Sequence, residues 1–273
     1  MANNPLEQFF RQPKIFIKLP SQGVYNEPGT ISGDSSNMPV YSMTAMDEII
    51  AKTPDALFSG ESMVRMIQSC VPGIKNAWDI SILDTDLVFA AIRIATYGNM
   101  ITVTHSCSSC DQAHEYELDL SMVVEHFSKC QYNNSLPLEK FTIRTRPINY
   151  KRQTDMQIQR YQMNKQLIQL DLLEESEDKQ RQINEMFTRI ATLQTEFFID
   201  SVESIDTGKQ VVTEKTHITE FMRNCDRTIY DAIKKHIETN QATWTVPEYK
   251  VKCTECNADD VIRVSLDQSN FFG

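Results

Sequence analysis

A chain of 273 residues with 41% hydrophobic and 23% charged residues has enough apolar side chain to bury a core, so disorder is not its default. Its formal net charge of −10 weighs against nucleic-acid binding, which draws its affinity from neutralising phosphates. No run of about 18 apolar residues is present to span a membrane, and the start Met-Ala-Asn-Asn-Pro-Leu-Glu lacks the layout of a signal peptide. The expectation is a chain made and first kept in cytosol.

Residues 4–11 read as a short helix opened by Pro5, with Phe9 and Phe10 turned toward a partner surface. Ile15, Ile17 and Leu19 then alternate with Lys14, Phe16 and Lys18, the period-2 pattern of a strand, which Pro20 ends before a Ser21-Gln22-Gly23 turn. A Gly-, Ser- and Pro-containing loop over 26–37 leads to a second strand over 38–43. Segment 1–43 is thus expected to be a docking segment with short strands. Its docking contact is assigned to Phe9, Phe10, Ile15 and Ile17, with core strand as the competing reading for the two isoleucines.

Over 44–148 the pattern predicts a mixed helix and strand domain. Thr44 is a candidate N-cap, and Asp47 and Glu48 suit the positive end of a helix dipole. Met63, Met66, Ile67 and Cys70 share one helical stripe. Asp84-Thr85-Asp86 is read as the cap of a helix over 87–97 that ends at Gly98, with Leu87, Ala90, Ala91, Ile94 and Ala95 as its core face. Asp86 and Arg93 are read as solvated rim charges rather than chemistry. A β-hairpin follows, 100–105 and 114–120, with Cys107-Ser-Ser-Cys110 at its tip. Residues 121–127 read as a helical turn or two, and 139–146 as a strand stopped by Pro147.

Composition then shifts. Over 149–240 glycine and proline are few, and long helices are predicted over 149–173 and 177–201 around an acidic tip at 174–178. The second carries Ile183, Phe187, Ile190, Leu193, Phe197 and Phe198 as its apolar stripe. A tight hairpin is predicted over 204–212, then one final helix to about residue 239 with Ile218, Phe221, Met222, Cys225, Ile229, Ile233 and Ile237 inward. Segment 241–273 returns to strands around a second hook, Cys253-Thr-Glu-Cys256.

Two Cys-x-x-Cys hooks on hairpin tips supply the four thiolates of a tetrahedral Zn²⁺ site, so Cys107, Cys110, Cys253 and Cys256 are the candidate metal ligands. Between the hooks lie 142 residues, against about 15–20 in a compact zinc ribbon, so a shared metal ties the middle of the chain to its far end. Two local disulfides and four unpaired thiols remain alternatives, although an odd total of seven cysteines and a reducing cytosol favour metal. Iron is an alternative ion, and His105 or His114, which flank the first hook, are alternative ligands. Thioredoxin-type chemistry is disfavoured because strand rather than helix follows each hook. Four sulfurs close the coordination shell, which argues for structure over catalysis. No phosphate-binding Gly-rich loop, Gly-x-Ser-x-Gly elbow or His-Glu-x-x-His array occurs, so no enzyme is expected.

The order of short motifs carries a resemblance. Leu19-Pro20-Ser21-x-Gly23-x-Tyr25 comes first, then Thr44-Ala-Met-Asp47-Glu48 and Phe58-Ser-Gly60. Asp84-x-Asp86, Arg93-Ile-Ala-Thr-Tyr97-Gly98 and Cys107-x-x-Cys110 follow. Over about 13–120 this resembles the baseplate hub proteins of T-even-type contractile-tailed bacteriophages. The resemblance implies a non-enzymatic virion protein, assembled in host cytoplasm within a symmetric multi-subunit particle. Its partners would be other baseplate, hub, tail-tube or tape-measure proteins, without nucleic acid or membrane. It also implies that Leu-Pro-Ser-x-Gly-x-Tyr is a structural turn and docking segment. The alternative is an assembly chaperone absent from the finished particle. The fold class expected is α+β: a mixed N-terminal domain, a split four-cysteine zinc ribbon and a long helical insertion.

Overall fold

The computed structural model describes residues 5–51, 59–172, 176–264 and 266. Expectations that touch Asn4, Phe58, Leu173, Glu174, Glu175, Ser265 and Phe272 lie outside those residues. The fold is α+β, and the chain divides into two compact units, one formed by 1–131 with 245–273 and the other by 132–244.

In the first unit the helix expected over 4–11 is a single 3-10 turn, Glu7–Phe9, with Phe9 76% exposed. Its short length follows from its lack of a buried face. Strands β1 (Ile15–Ile17) and β2 (Met38–Val40) pair antiparallel, Ile15 opposite Val40 and Ile17 opposite Met38. Ile17 and Leu19 are buried and Phe16 points outward, so alternation placed Ile17 in the core rather than on a docking surface. Between them, Ser21, Gln22 and Gly23 make a tight turn with φ of 52° at Gln22 and 81° at Gly23.

Helix α1 (Ala45–Ala51) opens on a reciprocal cap: Asp47 N–H donates to Thr44 Oγ1 at 3.2 Å, and Thr44 N–H donates to Asp47 Oδ2 at 2.8 Å. Arg11 reaches the same carboxylate at 3.5 Å while donating to the carbonyls of Ser42 and Ser69, each at 2.6 Å. Helix α2 (Glu61–Cys70) buries Met63, Met66, Ile67 and Cys70 as expected.

Helix α3 (Ile82–Tyr97) is the centre of this unit. It starts five residues before the expected 87, because Ser81 and not Asp84 is its N-cap, accepting from Leu83 N–H. Asp84 is instead fully buried and accepts from Ser21 N–H (2.8 Å), Ser21 hydroxyl (2.5 Å) and the Asn26 amide (3.2 Å). The turn after β1 is therefore stapled to the first turn of α3. Leu87, Val88, Ala90, Ala91 and Ile92 are buried, and Gly98 ends the helix with φ 87°. Hairpin β3 (Met100–Ser106) and β4 (Ala113–Asp119) follows, then α4 (Ser121–Lys129), whose Val123 and Phe127 are buried. The last strands, β9 (Tyr249–Lys252) and β10 (Asp259–Ile262), form a second antiparallel hairpin.

The inserted unit contains a four-stranded antiparallel sheet in the order β5 (Ser135–Pro137), β6 (Thr142–Thr145), β7 (Val202–Asp206), β8 (Val211–Val212). Between β6 and β7 runs a helical hairpin, α5 (Tyr150–Asp171) and α6 (Glu177–Asp200). Along α6 Met186 is buried and Ile183, Ile190, Leu193 and Phe197 are half-buried, with gaps of three and four; Phe187, expected inside, is 58% exposed. The final helix expected to reach 239 is two helices, α7 (Lys215–Asn224) and α8 (Arg227–Thr243). Asp226 breaks them by accepting from Thr228 N–H at 2.8 Å, a local cap that overrides a continuous apolar period. Ile143, Phe198, Val202, Ile218, Ile233 and Ile237 form the core of this unit. Among the described residues no helix is long and apolar enough to cross a membrane.

Candidate metal centre

Each hook is a turn of the same construction. In the first, Cys107 N–H donates to Gln112 C=O at 2.9 Å, Asp111 N–H to Cys107 C=O at 2.9 Å, and Asp111 takes φ 57°. In the second, Cys253 N–H donates to Ala258 C=O at 3.0 Å, Asn257 N–H to Cys253 C=O at 3.0 Å, and Asn257 also takes φ 57°. Asp and Asn are the side chains that best tolerate this left-handed position after glycine. The five-residue closure leaves the backbone N–H groups of each turn aimed inward at the sulfurs. Ser109 N–H lies 3.4 Å from Cys107 Sγ, and N–H groups of Cys256 and Glu255 reach Cys253 Sγ. Gln112 and Ala258 do the same for Cys110 and Cys256.

The structure brings all four sulfurs expected from the sequence within 4.8 Å of one another. Cys107 Sγ is 3.7 Å from Cys256 Sγ, and Cys110 Sγ is 3.7 Å from Cys253 Sγ. These are far beyond a disulfide bond of about 2.05 Å. They match the edge of about 3.8 Å that a tetrahedron with metal–sulfur bonds of about 2.3 Å requires. Both close pairs run between the hooks, so the sulfurs form one cluster and not two separate ones.

The electrostatics are those of a crowded thiol set. Backbone N–H groups of Cys256 and Glu255 hold Cys253 down to about 6. At Cys110 the Gln112 N–H lowers the thiol, but desolvation and the neighbours Cys256, Cys107 and Cys253 outweigh it and push it up to about 12. One thiolate forms readily here, and further ones are opposed by the first. A divalent cation would relieve that opposition. The Tyr116 hydroxyl is shielded from solvent with no hydrogen-bond partner among the described residues, and burial together with charge on Cys253, Cys107, Asp260 and Cys110 raises it. The residues fit a closed, all-sulfur metal site.

Neither histidine joins the sulfur set. His105 Nε2 lies 3.0 Å from Asp260 Oδ2, and His114 packs outside, Nδ1 at 3.1 Å from Thr254 Oγ1 and Nε2 at 3.6 Å from Cys253 Sγ. Asp260, which no local pattern singles out, ties the hairpins together. It accepts from Ser108 N–H at 2.9 Å and Val261 N–H at 2.8 Å, and these bonds with His105 hold its carboxyl down to about 2. Tyr249 adds a hydroxyl donated to Asp119 C=O at 2.8 Å. Of the other cysteines, Cys70 is core, its thiol pushed up to about 12 by burial. Asp86 is partly buried rather than solvated, and Arg93 lies 4.4 Å from the Tyr97 ring centre.

The sequence profile of the T4 bacteriophage base plate protein family matches residues 34–273, a span that takes in both hooks and the whole inserted unit. No curated protein and no solved structure matches the chain. The chain belongs to the T4 bacteriophage base plate protein family.

Proposed function

We propose that the chain is a non-enzymatic structural component of a contractile tail baseplate, in its hub or inner part, bound to other baseplate, hub, tail-tube or tape-measure proteins. In this reading a zinc ion on Cys107, Cys110, Cys253 and Cys256 stabilises it. The observation that carries the reading is the family match, which spans all four cysteines of the cluster. A closed sulfur site suits this role, because metal binding supplies folding free energy to hairpins that bury little apolar area. Phe9 and Phe10, exposed at the start of the chain, are the docking contact in this reading.

Two measurements test it. Mass spectrometry of purified particles should find the chain at a fixed ratio to other baseplate proteins; its presence only in assembly intermediates would favour the chaperone reading, which the exposed Leu6, Phe9, Phe10 and Phe16 also suit. Metal analysis of chain purified without chelator should find about one zinc per chain. The double variant Cys253→Ser, Cys256→Ser should lose it. Metal retained by that variant would overturn the shared site.

A further inference from the structure

The contacts between the two hooks repeat when the hooks are exchanged. Cys107 meets Cys256 and Cys253 meets Cys110, first cysteine against second in both cases, each pair at 3.7 Å. The exchange extends beyond the sulfurs. His114 lies seven places after Cys107 and Asp260 seven places after Cys253, each on the returning strand of its hairpin. Each reaches the residue that follows the first cysteine of the opposite hook. Asp260 Oδ2 accepts from Ser108 N–H at 2.9 Å, and His114 Nδ1 lies 3.1 Å from Thr254 Oγ1.

The two side chains act differently because their chemistry differs. Ionised Asp260 offers only acceptor oxygens, and it is turned to donors: Ser108 N–H, Val261 N–H at 2.8 Å and His105 Nε2 at 3.0 Å. It therefore fixes the second hairpin on the turn of the first. His114 has a second nitrogen, Nε2, 3.6 Å from Cys253 Sγ. A sulfur bound to a metal carries no hydrogen, so the hydrogen of that contact sits on Nε2, and Nδ1, left bare, accepts from the Thr254 hydroxyl. Four thiolates on a divalent cation leave an excess of negative charge, which a hydrogen bond to one of the sulfurs offsets. We propose that His114 and Asp260 are the positioning residues of the metal centre: His114 donates Nε2–H to Cys253 Sγ, and Asp260 holds Ser108 so that the first hook meets the second. This deepens the reading of the four cysteines as zinc ligands and rests on it.

Zinc affinity of the full chain, read by competition with a chromophoric chelator, tests both residues. His114→Phe keeps a ring and removes both nitrogens, and Asp260→Ala removes the bridge. Each should bind zinc about 10–100-fold more weakly than the wild type. His114→Gln, which retains an N–H donor, should recover most of the His114→Phe loss. Unchanged affinity in either His114→Phe or Asp260→Ala, or a loss at His114→Phe that glutamine fails to recover, overturns the proposal. A second measurement needs no variant to fold. Long-range ¹H–¹⁵N spectra of the zinc-loaded wild type should show the His114 hydrogen on Nε2 and Nδ1 bare; a hydrogen on Nδ1 alone overturns the donor role. A wild type that binds no zinc overturns the zinc reading and this proposal together, whereas zinc bound equally well by wild type and variants overturns this proposal alone.

Discussion

Arg11 holds the start of the chain by its head group alone: two carbonyls at 2.6 Å, the Ser69 hydroxyl at 2.9 Å and the Asp47 carboxylate at 3.5 Å. Replacing it with alanine leaves two carbonyls without their charged donor. Arg11→Ala should cost about 1–3 kcal/mol, and residues 5–14 should become the first site of limited proteolysis. Asp86 makes a pH prediction. Burial raises its carboxyl to about 6, from an ordinary value of about 4, and among the described residues nothing donates to it. The folded state therefore favours the protonated form, and this contribution is complete below pH about 4 and lost as pH rises through about 6. Asp86→Asn should match the wild type in urea at pH 4 and exceed it by about 1–2 kcal/mol at pH 7, less than a full shift because the group is only partly buried. Neither role was legible in the sequence. Arg11 and Asp86 act through residues 31 or more positions away or through burial, and local pattern carries no record of either.

The hairpin tips were legible because their chemistry is local. Cys-x-x-Cys flanked by alternating residues requires a turn of one kind, and both turns take it, down to the left-handed fifth residue. Val at that fifth position adds a β-branched side chain to a backbone it disfavours, so Asp111→Val and Asn257→Val should each cost about 1–3 kcal/mol. Glycine at either should be tolerated. Competition with a chelator should strip metal faster from the valine variants than from the glycine ones. Period alone misled where two helical faces or a cap intervened. Phe187 fits a three-four stripe as well as Met186 does, and only packing against α5 chooses between them. Asp226-x-Thr228 is a start signal inside an unbroken apolar series, and it separated α7 from α8. Asp84 looked like a cap from its position, yet it faces inward because Ser21 and Asn26 supply three hydrogen bonds to it.

Two compact units with separate cores should melt separately. Chelator should lower the transition of the unit that contains the four cysteines and leave that of 132–244 in place, which calorimetry on the full chain can resolve. The inserted unit also fastens its own ends. Asn240 receives Asn133 N–H at 3.0 Å and donates to Asn133 C=O at 2.8 Å, beside a Thr145–His236 contact of 3.2 Å, with burial lowering His236. In polymer terms this shortens the ring that the sulfurs must close. The unfolded chain between Cys110 and Cys253 is 142 residues, but once Asn133 and Asn240 touch, only the 22 residues before and the 12 after still have to be gathered in. Loop-closure entropy makes that difference about 1 kcal/mol in favour of the cluster. The long interruption between the hooks thus costs the sulfur cluster little more than a short one, provided the insertion folds first.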